Sequence, residues 1–297
     1  MNEGIVFNGD KFEKPDQASF SVFDAGLVWG DAVYDVTSAW NNWIFRLDEH
    51  LERFQCSAEG FRLNNPYDHN EMRRICAECV SMSGLQNAYI KVQLTRGLLK
   101  NQKTKLSWEG DCKFLAYAIP YVWIWGEEKS KEGGNLFVSN VERISSNAVD
   151  QRFKNYNRAD LVQSRFEAYD NDCDDSLLCG PDGYLTEGPG YNVFLVKEGN
   201  IITPSSNILE GITRLTVKEL CEFENIDVKE TNIYPNELQE ADEVFCSTTA
   251  GGILPVTHLN SSPIGNGHKG LITSRLQKLY WKKRNEGWHG TSVEDVI

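Results

Sequence analysis

One lysine stands among cations just ahead of a helix read from 159 to 169. In Ser146-Asn-Ala-Val-Asp-Gln-Arg-Phe-Lys-Asn-Tyr-Asn-Arg158, Lys154 lies between Arg152 and Arg158. Neighbouring cations and partial burial both lower a lysine's pKa, which suits an amine that attacks a carbonyl to form a Schiff base. The plain alternative is a solvated lysine near a helix start. Downstream, Leu185-Thr-Glu-Gly-Pro-Gly-Tyr-Asn-Val-Phe194 puts Glu187 at a strand end, with Gly188 and Gly190 permitting close backbone approach. A carboxylate there can hold a protonated ring nitrogen, or be a surface Glu at a hairpin turn. Gly211-Ile-Thr-Arg214 opens a helix and Ser247-Thr-Thr-Ala-Gly-Gly252 follows a strand. Hydroxyls and backbone N–H groups in both can cradle a phosphate, or serve as ordinary caps and turns. Together these residues offer an imine partner, a counter-ion for a pyridinium and an anion cup, which is the set that pyridoxal phosphate requires.

The elements that must position them follow from periodicity. Residues 45–60 read as a helix with Leu47, Leu51, Phe54 and Ala58 on one face, and a second helix follows with the stripe Met72, Ile75, Cys76, Cys79, Val80. From Tyr89 to Thr95 the pattern alternates, with Ile90, Val92 and Leu94 on one side and Tyr89, Lys91, Gln93 and Thr95 on the other, as in a half-buried strand. Residues 112–124 read as another strand. The charged, Gly-containing stretch from Trp125 to Gly134 reads as a linker. Beyond it come strands at 136–141, around the turn Pro181-Asp182-Gly183, at 193–197 and 201–203 around Glu198-Gly199-Asn200, and at 244–248, with helices at 159–169, 213–223 and 271–284. Hairpins are too frequent for a regular βαβ repeat. The expectation is an α+β chain with a small N-terminal domain at 1–122, a linker at 123–134 and a large C-terminal domain at 135–297.

Composition narrows the function. The 297 residues are 40% hydrophobic and 25% charged, enough for a buried core, and 30 Lys+Arg against 43 Asp+Glu give a formal charge of −13. Such a surface repels phosphate backbones and anionic membrane faces, so neither nucleic acid nor membrane is an expected partner. The longest uncharged apolar run, Phe114 to Gly126, contains Pro120 and falls short of the roughly 20 residues a membrane helix needs. The start has no apolar core behind a basic segment, and eight scattered cysteines favour reduced thiols, so a cytoplasmic location is expected. Cys76-Ala-Glu-Cys79 reads as core packing and not as a metal or redox pair. Gly265-Asn-Gly-His-Lys-Gly270 follows Ser261-Ser262-Pro263 and lacks the strand a dinucleotide site needs. The five histidines show no ligand spacing and no GxSxG or P-loop occurs, so no metal site is expected.

The chain resembles the class IV aminotransferases, the fold-type IV pyridoxal phosphate enzymes that include branched-chain, D-amino acid and (R)-selective amine transaminases. The resemblance runs from Phe23-Asp-Ala-Gly26 to Gly267-His-Lys-Gly270. Its most specific pieces are Phe45-Arg-Leu-Asp-Glu-His-Leu-Glu-Arg53, Leu94-Thr-Arg-Gly97, Thr186-Glu-Gly-Pro-Gly-Tyr-Asn192, Leu209-Glu-Gly-Ile-Thr-Arg214 and Thr248-Thr-Ala-Gly-Gly252. It implies that Lys154 binds pyridoxal 5'-phosphate and shuttles the proton at the substrate Cα, and that Glu187 pairs with the pyridine nitrogen. It further implies that Arg53, the backbone N–H groups of Ile212 and Thr213, the Thr213 hydroxyl and Thr248 hold the phosphate, with Leu209 packed on the ring and Arg158 a cofactor neighbour. A homodimer is implied, with the active site between the domains and a loop of the partner closing it; the pocket would then be locally cationic through Arg53, Lys154, Arg158 and Lys91 inside an acidic exterior.

The implied substrate residues are Trp29, Tyr34, Val36, Tyr89, Lys91, Thr249 and Ala250. Tyr34-Asp-Val-Thr-Ser-Ala-Trp40 and Pro120-Tyr-Val-Trp123 look most like the (R)-selective amine transaminases, in which a chiral amine donates to a keto acid such as pyruvate by ping-pong exchange. Trp29 stands where those enzymes tend to have His, and Gly30-Asp31-Ala-Val-Tyr34 is closer to the D-amino acid enzymes. The basic pair those enzymes use for substrate carboxylate is replaced by Asn101 and Lys103. Lys91 stands where branched-chain enzymes carry Arg, and its alternative is a solvated strand face. Arg158 occupies a position often Tyr or Trp in transaminases and Arg in some aminodeoxychorismate lyases. The reading is an aminotransferase for an (R)-amine or amino acid, with a branched-chain or D-amino acid aminotransferase as the alternative, then a lyase or a cofactor-free binding protein.

Overall fold

The computed structural model describes residues 3–100 and 110–297. In chain order the elements begin with β1 (Ile5–Phe7), β2 (Phe12–Glu13), α1 (Ala25–Trp29), β3 (Ala32–Trp40), β4 (Trp43–Phe45), α2 (Leu47–Gly60), α3 (His69–Ser83), β5 (Ala88–Leu99) and β6 (Gly110–Pro120). There follow α4 (Glu127–Glu132), β7 (Gly134–Val138), α5 (Ala159–Asp170), β8 (Asp175–Leu177), β9 (Glu187–Gly188), β10 (Tyr191–Lys197), β11 (Asn200–Pro204), α6 (Ile212–Glu224) and β12 (Val228–Thr231). The chain ends with α7 (Pro235–Gln239), β13 (Glu243–Thr248), β14 (Gly252–Leu259), β15 (Ser262–Pro263), α8 (Leu271–Asn285) and β16 (Gly290–Ser292). The class is α+β, and no helix among the described residues is long and apolar enough to cross a membrane.

Two compact units share these elements. The first holds Met1–Val122, Phe153–Asn157 and Arg284–Ile297, around a sheet ordered β16-β4-β3-β5-β6-β1-β2. Alternation in β5 buries Ile90, Val92 and Leu94 against the stripes of α2 and α3, while Tyr89, Lys91 and Gln93 take the other face. Helix α3 starts on a capping box, in which Asp68 accepts from the Glu71 N–H and Glu71 reaches back to the Asp68 N–H, and it stops at Gly84 in the left-handed conformation. Cys76 and Cys79 lie inside this core, and burial pushes the Cys76 thiol up to about 12. The pair is packing material, as its place in an apolar stripe suggested.

The second unit holds Trp123–Arg152 and Arg158–Lys283, around a sheet ordered β12-β11-β10-β13-β14-β7-β8, with β15 on β14 and β9 on β10. Its core joins Leu136, Leu177, Val193, Leu195, Val244, Cys246 and Leu254. The stretch 123–134, expected as a linker, is built into this unit: Trp125 packs edge-on against Tyr191, its indole N–H donates to Asp175, and residues 127–132 form α4. A single buried tryptophan outweighs the polar composition around it. The first unit is also not contiguous in sequence. Asn155 bridges to Val33, the Tyr34 N–H donates to the Lys154 carbonyl, and β16 pairs with β4, so residues 153–157 and 284–297 belong with the N-terminal segment.

Candidate functional site

In the first unit, Lys154 is fixed through its backbone: its N–H donates to Ser57 Oγ of α2 at 3.0 Å and its carbonyl accepts from Tyr34 of β3 at 3.0 Å. The side chain then reaches the Tyr34 ring, with Nζ 5.0 Å from the centroid. Lys91 meets the same ring, 4.4 Å from its centroid, and lies 4.9 Å from that of Tyr156. Tyr34 and Tyr156 pack ring to ring at 4.8 Å, and the Tyr156 hydroxyl donates to Gln93. Register explains the grouping. Tyr34 stands opposite Gln93, Val36 opposite Lys91, and Lys91 opposite Tyr117 of β6, so period two gathers them on one sheet face. Burial pushes the Tyr117 phenol up to about 12, which keeps it a neutral donor. The two lysine side chains thus share a wall of tyrosines, whose electron-rich faces attract a cation.

Asp35 points to the other face of β3. Arg53 engages it with Nε and a terminal nitrogen, each at 2.8 Å, and His50 Nδ1 lies 2.7 Å away. Burial would raise the Asp35 pKa, but the Arg53 guanidinium and His50 hold it far below the usual carboxylate range. Burial lowers that of His50, against the pull of Asp35. Arg53 is therefore a guanidinium whose direction is set by a buried anion.

The second unit carries the carboxylate. Glu187 Oε1 accepts from Arg143 Nη2 at 3.0 Å and more weakly from its Nε, and Oε2 accepts from the Leu209 N–H at 3.0 Å. Arg143 also donates to Asp160 at 2.5 Å and to Gln151. Burial works against the Arg143 cation, but Glu187 and Asp160 raise its pKa. Leu209 leads to Gly211, whose close approach to Asn192 Oδ1 would put a Cβ 2.2 Å from that atom. Gly211 caps α6 without a side-chain bond, so the first N–H groups, those of Ile212 and Thr213, have no partner inside the helix. The turn after β13 is braced by Thr248, whose hydroxyl donates to the Gly190 carbonyl at 2.7 Å and accepts from the Ala250 N–H at 3.3 Å. Ser247 Oγ is buried with no hydrogen-bond partner among the described residues. These groups fit a phosphorylated pyridine aldehyde: helix-start N–H groups and an unpaired hydroxyl suit an anion, a carboxylate accepting on both oxygens suits a ring N–H, and a held lysine suits a carbonyl.

The family model for amino-transferase class IV matches residues 32–259. The chain belongs to the class IV aminotransferases. It is 32% identical to a putative branched-chain-amino-acid aminotransferase of Methanocaldococcus jannaschii over 93% of this chain and 94% of that one. It is 29% identical to the D-alanine aminotransferase of Staphylococcus aureus strain N315, over 94% and 97%. Among solved structures it superposes on the T.th. branched-chain amino acid aminotransferase with pyridoxamine 5'-phosphate at a TM-score of 0.91 and 28% identity, covering 99% of each chain. This aminotransferase therefore has the fold-type IV architecture, uses pyridoxal phosphate, and acts on amino acids and keto acids.

The structure places the remaining candidate residues of the aminotransferase as follows. Trp29 ends α1 and is 41% exposed. Tyr89 is half-buried on the same strand face as Lys91, Val36 is buried, and Arg158 is the half-buried cap of α5. Ala250 is buried and its carbonyl accepts from the Ile124 N–H; Thr249 is half-buried beside it. Arg96 of the Thr-Arg-Gly run is a clamp, bound to Asp31 and to the carbonyls of Phe61 and Arg62. Arg214 is tied to Glu230 and the Pro204 carbonyl. Asn101 and Lys103 lie outside the described residues. Arg143 lies in no motif, and Asp35 and His50, although they stand inside the Tyr34–Trp40 and Phe45–Arg53 runs, have no role legible there, because each is defined by partners distant in sequence.

Proposed function

We propose that this aminotransferase exchanges an amino group between a carboxylated donor and a keto acid, with Lys91 as the carboxylate anchor. The observation that carries the reading is the placement of Lys91 and Lys154 on one tyrosine ring, at 4.4 and 5.0 Å. Bound pyridoxal phosphate supplies a carbonyl and an electron sink that loosens the bonds at the substrate Cα. Lys154 Nζ takes the Cα proton and returns it at the other end of the exchange, an office for which a held primary amine is suited. Glu187 would accept from the ring nitrogen. Arg53, the first N–H groups of α6 at Ile212 and Thr213, the Thr213 hydroxyl and Thr248 would hold the phosphate, and Leu209 would pack on the ring. Tyr34, Val36 and Tyr89 line the substrate side with Lys91, and Thr249 and Ala250 offer backbone groups. Trp29 would meet the substrate and Arg158 the cofactor.

Half-reactions with L-leucine, D-alanine and (R)-1-phenylethylamine, followed by cofactor absorbance, test this reading. Lys91→Met is expected to lower kcat/KM for carboxylated donors by about tenfold or more, the worth of a charged hydrogen bond, and to spare the amine. An unchanged amino acid rate would sink it. The second reading, an (R)-selective amine transaminase, draws support from the run Tyr34-Asp-Val-Thr-Ser-Ala-Trp40 and the buried Tyr34 and Val36; it requires the amine to be the fastest donor. A homodimer working in the cytoplasm is the proposed setting, in keeping with exposed apolar residues at 20–29 and eight free cysteines.

A further inference from the structure

We propose that Arg143 is a positioning residue for the cofactor's ring nitrogen: its guanidinium turns Glu187 and keeps it an acceptor, so that the nitrogen is held protonated. The inference rests on the assignment of Glu187 above and adds a residue to it. Three observations carry it. Arg143 and Glu187 are each only 6% exposed, so their pairing is not shared with bulk water. Two Arg143 N–H groups converge on Glu187 Oε1 while the Leu209 N–H takes Oε2, at 3.0–3.3 Å. Both carboxylate oxygens thus accept from the protein, and one lone pair on Oε2 is left for a further donor. Finally, Arg143 stands between two carboxylates, since it also holds Asp160 at 2.5 Å. One cation and two anions leave this buried cluster with one negative charge, which calls for a cation beside it. A pyridinium N–H supplies both the donor and the charge.

The proton in question is shared between a carboxylate and a pyridine nitrogen. A guanidinium bound directly to the carboxylate favours the state with carboxylate and pyridinium, because it is nearer to the anion than to the ring. Gln151 completes the clamp by accepting from Arg143 and donating to the Ile144 and Val149 carbonyls, so the guanidinium cannot swing away.

The test is the nitrogen NMR shift of holoenzyme loaded with pyridoxal phosphate labelled at the ring nitrogen, beside the dissociation constant for the cofactor. Wild type is expected in the pyridinium range. Arg143→Met is expected to move the signal toward the unprotonated range and to weaken cofactor binding by about tenfold or more, with Arg143→Lys restoring part of both. Since Arg143→Met strands two buried carboxylates, the pair Arg143→Met with Asp160→Asn keeps the cluster at the same net charge and lightens the folding penalty; the same displacement of the signal is expected there. If Glu187→Gln leaves the nitrogen protonated, the assignment of Glu187 falls and this proposal with it. If Glu187→Gln deprotonates the nitrogen but both Arg143 variants leave it protonated, the role of Arg143 alone is overturned.

Discussion

At the scale of single residues, the first unit uses charged side chains in two different ways. Lys154 is held by its backbone and leaves its amine among tyrosines, so removing the side chain should cost chemistry and not structure. Borohydride reduction of the loaded protein followed by peptide mass spectrometry is expected to find the cofactor on the Lys154 peptide, and Lys154→Ala should abolish that adduct with an unchanged urea midpoint; an adduct elsewhere would refute the assignment. Asp35 and His50 are structural by contrast. Both have folded-state pKa values below their ordinary ones, Asp35 despite its burial, through Arg53 and His50, and His50 because of burial. A group with a depressed folded pKa binds more protons unfolded, so its stabilisation is present above the ordinary value and is lost as pH falls toward the folded one. The urea midpoint is therefore expected to decline on acidification below about 6.5, the ordinary histidine value, and further below the carboxylate range. His50→Gln should flatten the upper part of that decline; an identical profile in the variant would show that another group governs it.

At the scale of elements, local signals are strong where a motif closes on itself. The Asp68–Glu71 capping box is such a case, and Asp68→Ala is expected to lower stability by about 1 kcal/mol in urea denaturation, with activity intact. The same self-contained logic made much of the fold legible from sequence. The helix read at 45–60 is α2 at Leu47–Gly60, that at 213–223 is α6 at Ile212–Glu224, and the alternation from Tyr89 became the sheet-spanning β5. Strand β3 was not legible, because nearly all of Ala32–Trp40 is buried on both faces and shows no alternation, and α4 was hidden in a charged stretch anchored by Trp125. The site divides along the same line. Lys154, Glu187 and the Gly211 helix start announce themselves by neighbours in sequence, whereas Arg143 and Asp35 acquire meaning only from Glu187, Asp160, His50 and Arg53, which folding brings to them.

At the scale of the whole molecule, the net charge of −13 and the segment 20–29 pull against each other. Phe20, Val22, Phe23, Leu27 and Val28 are all more than half exposed, with Phe23 at 66% and Leu27 at 58%, in a loop and a one-turn helix that Gly26 holds against Thr95 of β5. Apolar side chains clustered in this way on a surface fit the homodimer proposed above. Two acidic copies repel one another, however, so the apolar contact must offset a long-range penalty that salt screens within about 10 Å at 0.1 M. Self-association is therefore expected to tighten as salt rises, opposite to a complex held by ion pairs. Sedimentation velocity across a salt series should show a dimer whose dissociation constant falls with salt, and Phe23→Asp with Leu27→Glu should leave a folded monomer. A wild-type chain that stays monomeric at high salt and high concentration would remove the dimer; a dimer that survives both substitutions would move the interface elsewhere on the surface.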